Sequence, residues 1–382
     1  MSSPAPPSAD APIPLLDLRA EWAAIGADIR AAFDRAFASQ KWILGPEGEA
    51  LEKEIAQLCG SPFAVGVASG TDALTIALHA AGVGPGDDVM IPAFTFVATA
   101  SAVTALGARP IFVDIDPISF TIDPMRVEQC LTPRTRAIVA VHLFGLSADM
   151  DPILAVGVRR WISVIEDNAQ SLGARYRGRA TGSIGAFGCL SFYPSKNLGA
   201  YGDAGMILTA NPAAAERLRR LRNHGETVRY VSAERGWNSR LDEIQAAVLR
   251  VKLRHFARWT AARQAVASAY DDELSDAPGI RTPQSRTGSE HVYSVYTIRV
   301  EGGAARRDRV KQHLADRGIA SVVYYPVPLH LQPLFADAKL ERGALPRSER
   351  AAEEVLSLPI YPALTEEQIA RVARAVNEAA HA

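Results

Sequence analysis

Lys196 stands in the run Ser191-Phe192-Tyr193-Pro194-Ser195-Lys196-Asn197-Leu198-Gly199-Ala200-Tyr201-Gly202-Asp203-Ala204-Gly205, a loop of small residues and glycines. Earlier in the chain, Asp167 closes the apolar run Trp161-Ile162-Ser163-Val164-Ile165-Glu166-Asp167. A lysine of lowered pKa can form a Schiff base with an aldehyde and later carry protons. A carboxylate at the end of a buried strand can hold a protonated ring nitrogen, each group shifting the other toward its charged form. The two together are what pyridoxal phosphate chemistry needs, an amine to hold the cofactor and a carboxylate to keep its ring an electron sink. A lone loop lysine is ordinarily solvated surface, and an aspartate past a strand is ordinarily a loop residue. Glycines 199, 202 and 205 and the order of the two groups make the combination specific.

Other pieces fit around this pair. Ala68-Ser69-Gly70-Thr71-Asp72-Ala73 reads as a strand end, a glycine turn and a helix start, where free backbone N–H groups favour a phosphate dianion; such caps also occur with no ligand. Ser191 ends a strand and offers a hydroxyl to the same phosphate. In Ile91-Pro92-Ala93-Phe94-Thr95-Phe96, the carboxyl end of a parallel strand presents aromatic rings where α/β sheets bind ligands; Phe96 is the ring expected to stack on the pyridine, with Phe94 a core residue. Gln170 is placed to reach the ring's 3-oxygen. Among the eight histidines, His142 reads as packed support, and neither it nor His330 has a partner at metal-ligand spacing. His330 and Tyr325, in the aromatic, proline-rich stretch Tyr324-Tyr325-Pro326-Val327-Pro328-Leu329-His330, are candidates for substrate contact.

The elements that must position these groups alternate. Helical periodicity over Leu18–Ser39 and a second helix over 47–58 precede strands at 63–68, 88–92, 110–114, 137–141 and 162–166, with helices between them. That order predicts a mostly parallel sheet covered on both faces. Strands at 186–192 and 204–208 flank the lysine loop as the antiparallel edge of the sheet. Residues 241–270 form one long helix or two joined ones. Beyond them a strand at 292–300, a helix at 307–317, a strand at 321–325 and a closing helix at 365–380 describe a smaller α+β domain. The expected division is a disordered tail at 1–12, a large domain at 13–257 and a small domain at 258–382.

With 382 residues and a net charge of −1, the chain exceeds one ordinary domain and carries no electrostatic footprint for nucleic acid. Cys59, Cys130 and Cys189 are scattered and read as reduced structural thiols. There is no apolar run of membrane-spanning length and no signal-peptide pattern, so a cytoplasmic enzyme with no membrane or metal partner is expected.

In this order the motifs resemble the nucleotide-sugar aminotransferases of the DegT/StrS group, within the fold type I (aspartate aminotransferase-like) pyridoxal phosphate superfamily. The resemblance runs from Ile13-Pro14-Leu15-Leu16-Asp17-Leu18 to the C-terminus. It takes in Ser69-Gly70-Thr71-Asp72, Glu166-Asp167-x-Ala169-Gln170, the lysine loop, Leu221-Arg222-Asn223-His224-Gly225 and Gly236-Trp237-Asn238-Ser239-Arg240-Leu241-Asp242. It implies an α/β fold with a seven-stranded, mostly parallel sheet and a small C-terminal domain. Lys196 would carry the cofactor, Asp167 would hold its ring nitrogen, and Gln170 would lie near its ring oxygen. Gly70, Thr71 and Ser191 would bind phosphate. Asn238 would reach the cofactor phosphate of a neighbouring subunit, implying a homodimer with shared sites. Arg240 would then meet an anionic part of the substrate, or else form a helix-start salt bridge with Asp242 or Glu243. The activity implied is amino transfer, from L-glutamate, to a keto group of a nucleotide-linked sugar, the wording of the lysine loop pointing to C3. A keto-cyclitol acceptor and a non-catalytic regulatory relative are the alternatives; a sugar dehydratase of this kind would lack the lysine.

Overall fold

The computed structural model describes residues 11–381. Most of the expected tail at 1–12 lies outside the described residues; the carbonyl of Ala11 accepts from Arg371 Nη1 at 2.8 Å.

A seven-stranded sheet lies at the centre, in the order Phe63–Val67, Gly205–Thr209, Phe187–Ser191, Ser163–Asp167, Thr135–Val141, Asp88–Pro92, Arg109–Val113. Its strands are buried on both faces, which is why they read as near-continuous apolar runs. Alternate residues enter opposite layers. Ile91, Val139 and Ile207 pack on one side of the sheet, while Met90 and Ile138 join one separate cluster and Met206 another. Helix starts are set by side-chain caps, Asp17 accepting from the amides of Arg19 and Ala20, and Ser69 from that of Asp72.

The sheet departs from expectation at the lysine loop. Phe187–Ser191 runs parallel to Ser163–Asp167, and only Gly205–Thr209 is reversed, pairing antiparallel with both Phe187–Ser191 and Phe63–Val67. The reversed strand is interior and Phe63–Val67 is the edge. A loop that leaves and re-enters the same end of a sheet needs no crossover, so its second strand must be antiparallel.

A second core gathers Ile13, Val266, Tyr270, Tyr296, Ile298, Val310, Leu356 and Val372 around an antiparallel sheet of Ile280–Arg281, Tyr296–Val300 and Val355–Leu358. The expected boundary after residue 257 falls in the first turn of the helix Phe256–Glu273, which follows the separate helix Glu243–Leu253. Two segments cross that boundary. Ile13 bridges to Ile319 and packs in the second core, while Leu329, Phe335 and Ala351 pack in the first. The expected strand at 321–325 is reduced to a single bridge from Val322 to Ser357, and Tyr324 and Tyr325 instead line a cavity. The helix Pro212–Leu221 and the strand Val355–Leu358 were not expected. Among the described residues no helix is long and apolar enough to cross a membrane, and no group of His, Cys, Asp or Glu is arranged to hold a metal ion.

Candidate active site

Asp167 ends its strand with Val141 opposite it on one side and Cys189 on the other. Its carboxylate is buried, with Oδ2 accepting from Thr99 Oγ1 at 2.8 Å and Oδ1 from the Ala169 amide at 3.2 Å. Among the described residues no cation lies within ion-pair distance of it. Burial pushes this carboxyl above the usual range, while the two hydrogen bonds and the charge of Lys196 pull it back. Behind it, buried Glu166 accepts from the amides of Gly182, Ile184 and Gly185, each at 2.7 Å. His142 Nδ1 accepts from the Ala148 amide at 3.0 Å, so the ring proton sits on Nε2, 2.8 Å from Glu166 Oε2. That places His142 as support beneath the strand ends.

The lysine loop is closed at its base by the amide of Phe192 on the Ala204 carbonyl and that of Ala200 on the Phe192 carbonyl. Lys196 is pinned through its amide to the Tyr193 carbonyl at 2.8 Å. Its Nζ forms no hydrogen bond or ion pair among the described residues. Burial lowers its pKa from the ordinary lysine value, the charge of Asp167 opposing the shift.

Lys196 and Asp167 share the wall of one cavity of about 510 Å³ with Gly70, Thr71, Phe96 and Ser191. The helix Gly70–Ala80 starts there. Ser69 takes the amides of Asp72 and Ala73, and those of Gly70 and Thr71 find no acceptor among the described residues. Space at this turn is tight. A β-carbon on Gly70 would lie 2.6 Å from Ser191 Cβ, and one on Gly205 would lie 2.3 Å from the Ser69 carbonyl oxygen. Ser239 ties the next segment in, donating to Asp72 Oδ2 at 2.8 Å and accepting from the Ala68 amide at 3.2 Å.

Gln170 also lines the cavity, its Oε1 accepting from the Phe144 amide at 2.7 Å and its Nε2 donating to the Tyr325 hydroxyl at 3.2 Å. Phe96 is 54% exposed and faces Tyr325, ring centroids 6.1 Å apart. Phe94 is fully buried among Phe120, Phe144 and Tyr325.

Three expected residues do not line this cavity. His330 is a correction: it is 2% exposed, with Nε2 held 3.1 Å from Glu349 Oε1, because the 3-10 turn Leu329–Leu331 packs inward. Asn238 is exposed and bridges to Asn223 through backbone. Arg240 donates to Asn223 Oδ1 at 3.1 Å, and the alternative salt bridge is not formed, since Glu243 instead accepts from the amides of Gly45, Glu47 and Gly48. The sequence reading missed Thr99, Tyr193, Tyr324 and Arg263. Only Thr99 had a local signal, its i, i+4 spacing from Thr95, with which it shares a 3.4 Å hydroxyl contact.

The residues present fit pyridoxal phosphate. A buried carboxylate without a cation suits a protonated ring nitrogen, and an unpaired amine of lowered pKa suits the aldehyde. A helix start with free amides and no room for a side chain suits the phosphate.

The sequence matches the DegT/DnrJ/EryC1/StrS aminotransferase family over residues 23–377. It is 45% identical to a Streptomyces venezuelae dTDP-3-amino-3,4,6-trideoxy-alpha-D-glucose transaminase, over 96% of each chain. It is 46% identical to a Geobacillus stearothermophilus "pleiotropic regulatory protein", over 96% of this chain and 98% of that one. The fold superposes on S. venezuelae DesV with a TM-score of 0.94 at 45% identity, covering 97% of this chain and 99% of that one. It superposes on Bacillus subtilis NtdA, solved with bound cofactor PMP, with a TM-score of 0.87 at 33% identity, covering 93% and 82%.

Proposed function

Since the chain belongs to the DegT/DnrJ/EryC1/StrS aminotransferase family, we propose that it moves an amino group from L-glutamate to the C3 keto group of a nucleotide-linked sugar. The enzyme is a pyridoxal phosphate-dependent aminotransferase. The observation that carries the reading is the shared cavity wall, with Lys196 and Asp167 beside the free amides of Gly70 and Thr71.

Bound pyridoxal phosphate supplies an electron sink next to the substrate carbon. The amides of Gly70 and Thr71 and the hydroxyl of Ser191 would bind its phosphate, and Asp167 would hold its ring nitrogen. Gln170, fixed by Phe144 and Tyr325, would face the ring oxygen, and Phe96 would cover a ring face. Lys196 Nζ, its pKa lowered by burial, would hold the aldehyde carbon and, once displaced by the donor's amine, would take the proton from the amino-bearing carbon of the donor. Tyr325 shapes the substrate side of the cavity.

Asn238 and Arg240 lie outside their own chain's cavity on a partly exposed segment, which supports a role in a second subunit's site within a cytoplasmic homodimer.

The test is a half-reaction. Protein saturated with pyridoxal phosphate is mixed with L-glutamate, and the change in cofactor absorbance and the formation of 2-oxoglutarate are followed. Nucleotide keto sugars are then screened by mass spectrometry. Lys196→Ala abolishes both steps. Cofactor binding with no half-reaction for any amino donor would instead support a regulatory role, the description carried by the Geobacillus relative.

A further inference from the structure

We propose that Arg263 anchors a substrate carboxylate, forming an anion subsite in the cavity that holds Lys196 and Asp167. The proposal rests on the aminotransferase reading and adds a residue that reading does not use. Arg263 projects from the helix Phe256–Glu273 and is 4% exposed, yet it lies on the cavity wall. Its Nη1 donates to the Ile360 carbonyl at 2.8 Å, and Nε and Nη2 make no hydrogen bond among the described residues.

Comparison with the other buried arginines shows what is missing. Arg222 is paired with Glu52, and Arg307 with Asp308 at 2.6 Å. Arg263 has no carboxylate within ion-pair distance among the described residues. Asp203 shares the cavity wall but makes no ion pair with it. Glu21, the acid whose charge reaches Arg263, is held 2.6 Å from Lys252 Nζ. Burial therefore dominates and lowers the Arg263 pKa to about 10.

A buried cation without a counter-charge is costly, and an arriving carboxylate removes that cost while filling the two unused donors of the guanidinium fork. Two substrates of this reaction class can supply the group, the α-carboxylate of the amino donor and the carboxylate of an acidic sugar. A planar fork is suited to either, whereas an ammonium would offer only a point charge.

Holoenzymes carrying Arg263→Met and Arg263→Lys test this in three measurements. In the glutamate half-reaction, Arg263→Met raises the half-saturating glutamate concentration by about 30-fold, the loss expected for a charge-assisted bidentate contact, with Arg263→Lys intermediate. In the reverse direction, the half-reaction with a nucleotide amino sugar that bears no carboxylate stays within about twofold, as expected if the contact is specific to a carboxylate. Calorimetric titration with glutarate, which needs no turnover, shows binding to the wild type that Arg263→Met loses.

Selective loss with glutamate assigns the subsite to the amino donor. Loss confined to a nucleotide uronate assigns it to the sugar. If the wild type binds glutarate through Arg263 but transaminates nothing, the subsite stands and the aminotransferase reading falls. Equal slowing of both half-reactions, or saturation by glutamate and by a nucleotide uronate unchanged together with glutarate binding, overturns the proposal. If Arg263→Met does not fold, Arg263→Lys is compared with the wild type in the same three measurements.

Discussion

Thr99 donates its hydroxyl to Asp167 Oδ2 at 2.8 Å from a helix that precedes the aspartate by 68 residues. This bond and the Ala169 amide oppose the burial that raises the pKa of the carboxyl. Thr99→Val keeps the side chain's shape and deletes the donor. The glutamate half-reaction should slow about 10-fold, the worth of one hydrogen bond to a charged group. Thr99→Ser should restore most of the rate. Stopped-flow absorbance reads both, and a wild-type rate for Thr99→Val would remove Thr99 from the site.

Gly70 faces Ser191 so closely that Gly70→Ala puts two β-carbons 2.6 Å apart. Overpacking of this kind costs about 1–3 kcal/mol, so the urea midpoint should fall. Ser191→Gly in the same chain removes the opposing β-carbon and should restore the midpoint. It should not restore cofactor affinity, because the phosphate has lost the serine hydroxyl. Equilibrium dialysis separates the two effects, and full recovery of binding in the double variant would deny Ser191 its role.

Asp167 gives a pH signature. Its pKa is raised in the folded protein, so its contribution to stability is complete below the unfolded carboxyl value of about 3.9 and is lost as pH climbs through the folded value. Asp167→Asn escapes that loss. The cofactor-free variant should therefore have a higher urea midpoint than the wild type at pH 8, the gap closing toward pH 4. Saturating pyridoxal phosphate should narrow or reverse the gap, because its ring cation binds the native carboxylate. A gap that does not change with pH would contradict a raised pKa.

Glu166 supports the site from behind, with three backbone amides and the His142 ring directed at one carboxylate. Glu166→Gln turns one acceptor into a donor facing N–H groups and should destabilise the fold by about 3 kcal/mol. Urea unfolding checks the magnitude; a loss under 1 kcal/mol would mean that water replaces the network.

Lys196, Asp167, Ser191 and the Ser69–Thr71 turn were legible because strand ends, caps and clustered glycines are local properties of the chain. Thr99 and Arg263 were not, since each earns its place from a partner or an absence of partners that only tertiary packing decides. His330 was misread for the same reason. Its stretch looks like a loop reaching substrate, but Glu349, on the helix Pro346–Glu354, draws it inward. A strand is expected at 321–325, yet only Val322 finds a bridge partner there. The parallel part of the sheet followed from alternating strands and helices, whereas the interior position of Gly205–Thr209 depends on Phe63–Val67 pairing across most of the large domain.

That pairing bears on synthesis. Phe63–Val67 is made early but meets the sheet only through Gly205–Thr209. A nascent chain halted before residue 205 would carry the phosphate turn with Phe63–Val67, the strand that leads into it, still unpaired. Vitamin capture should therefore begin only after that reversed segment leaves the ribosome.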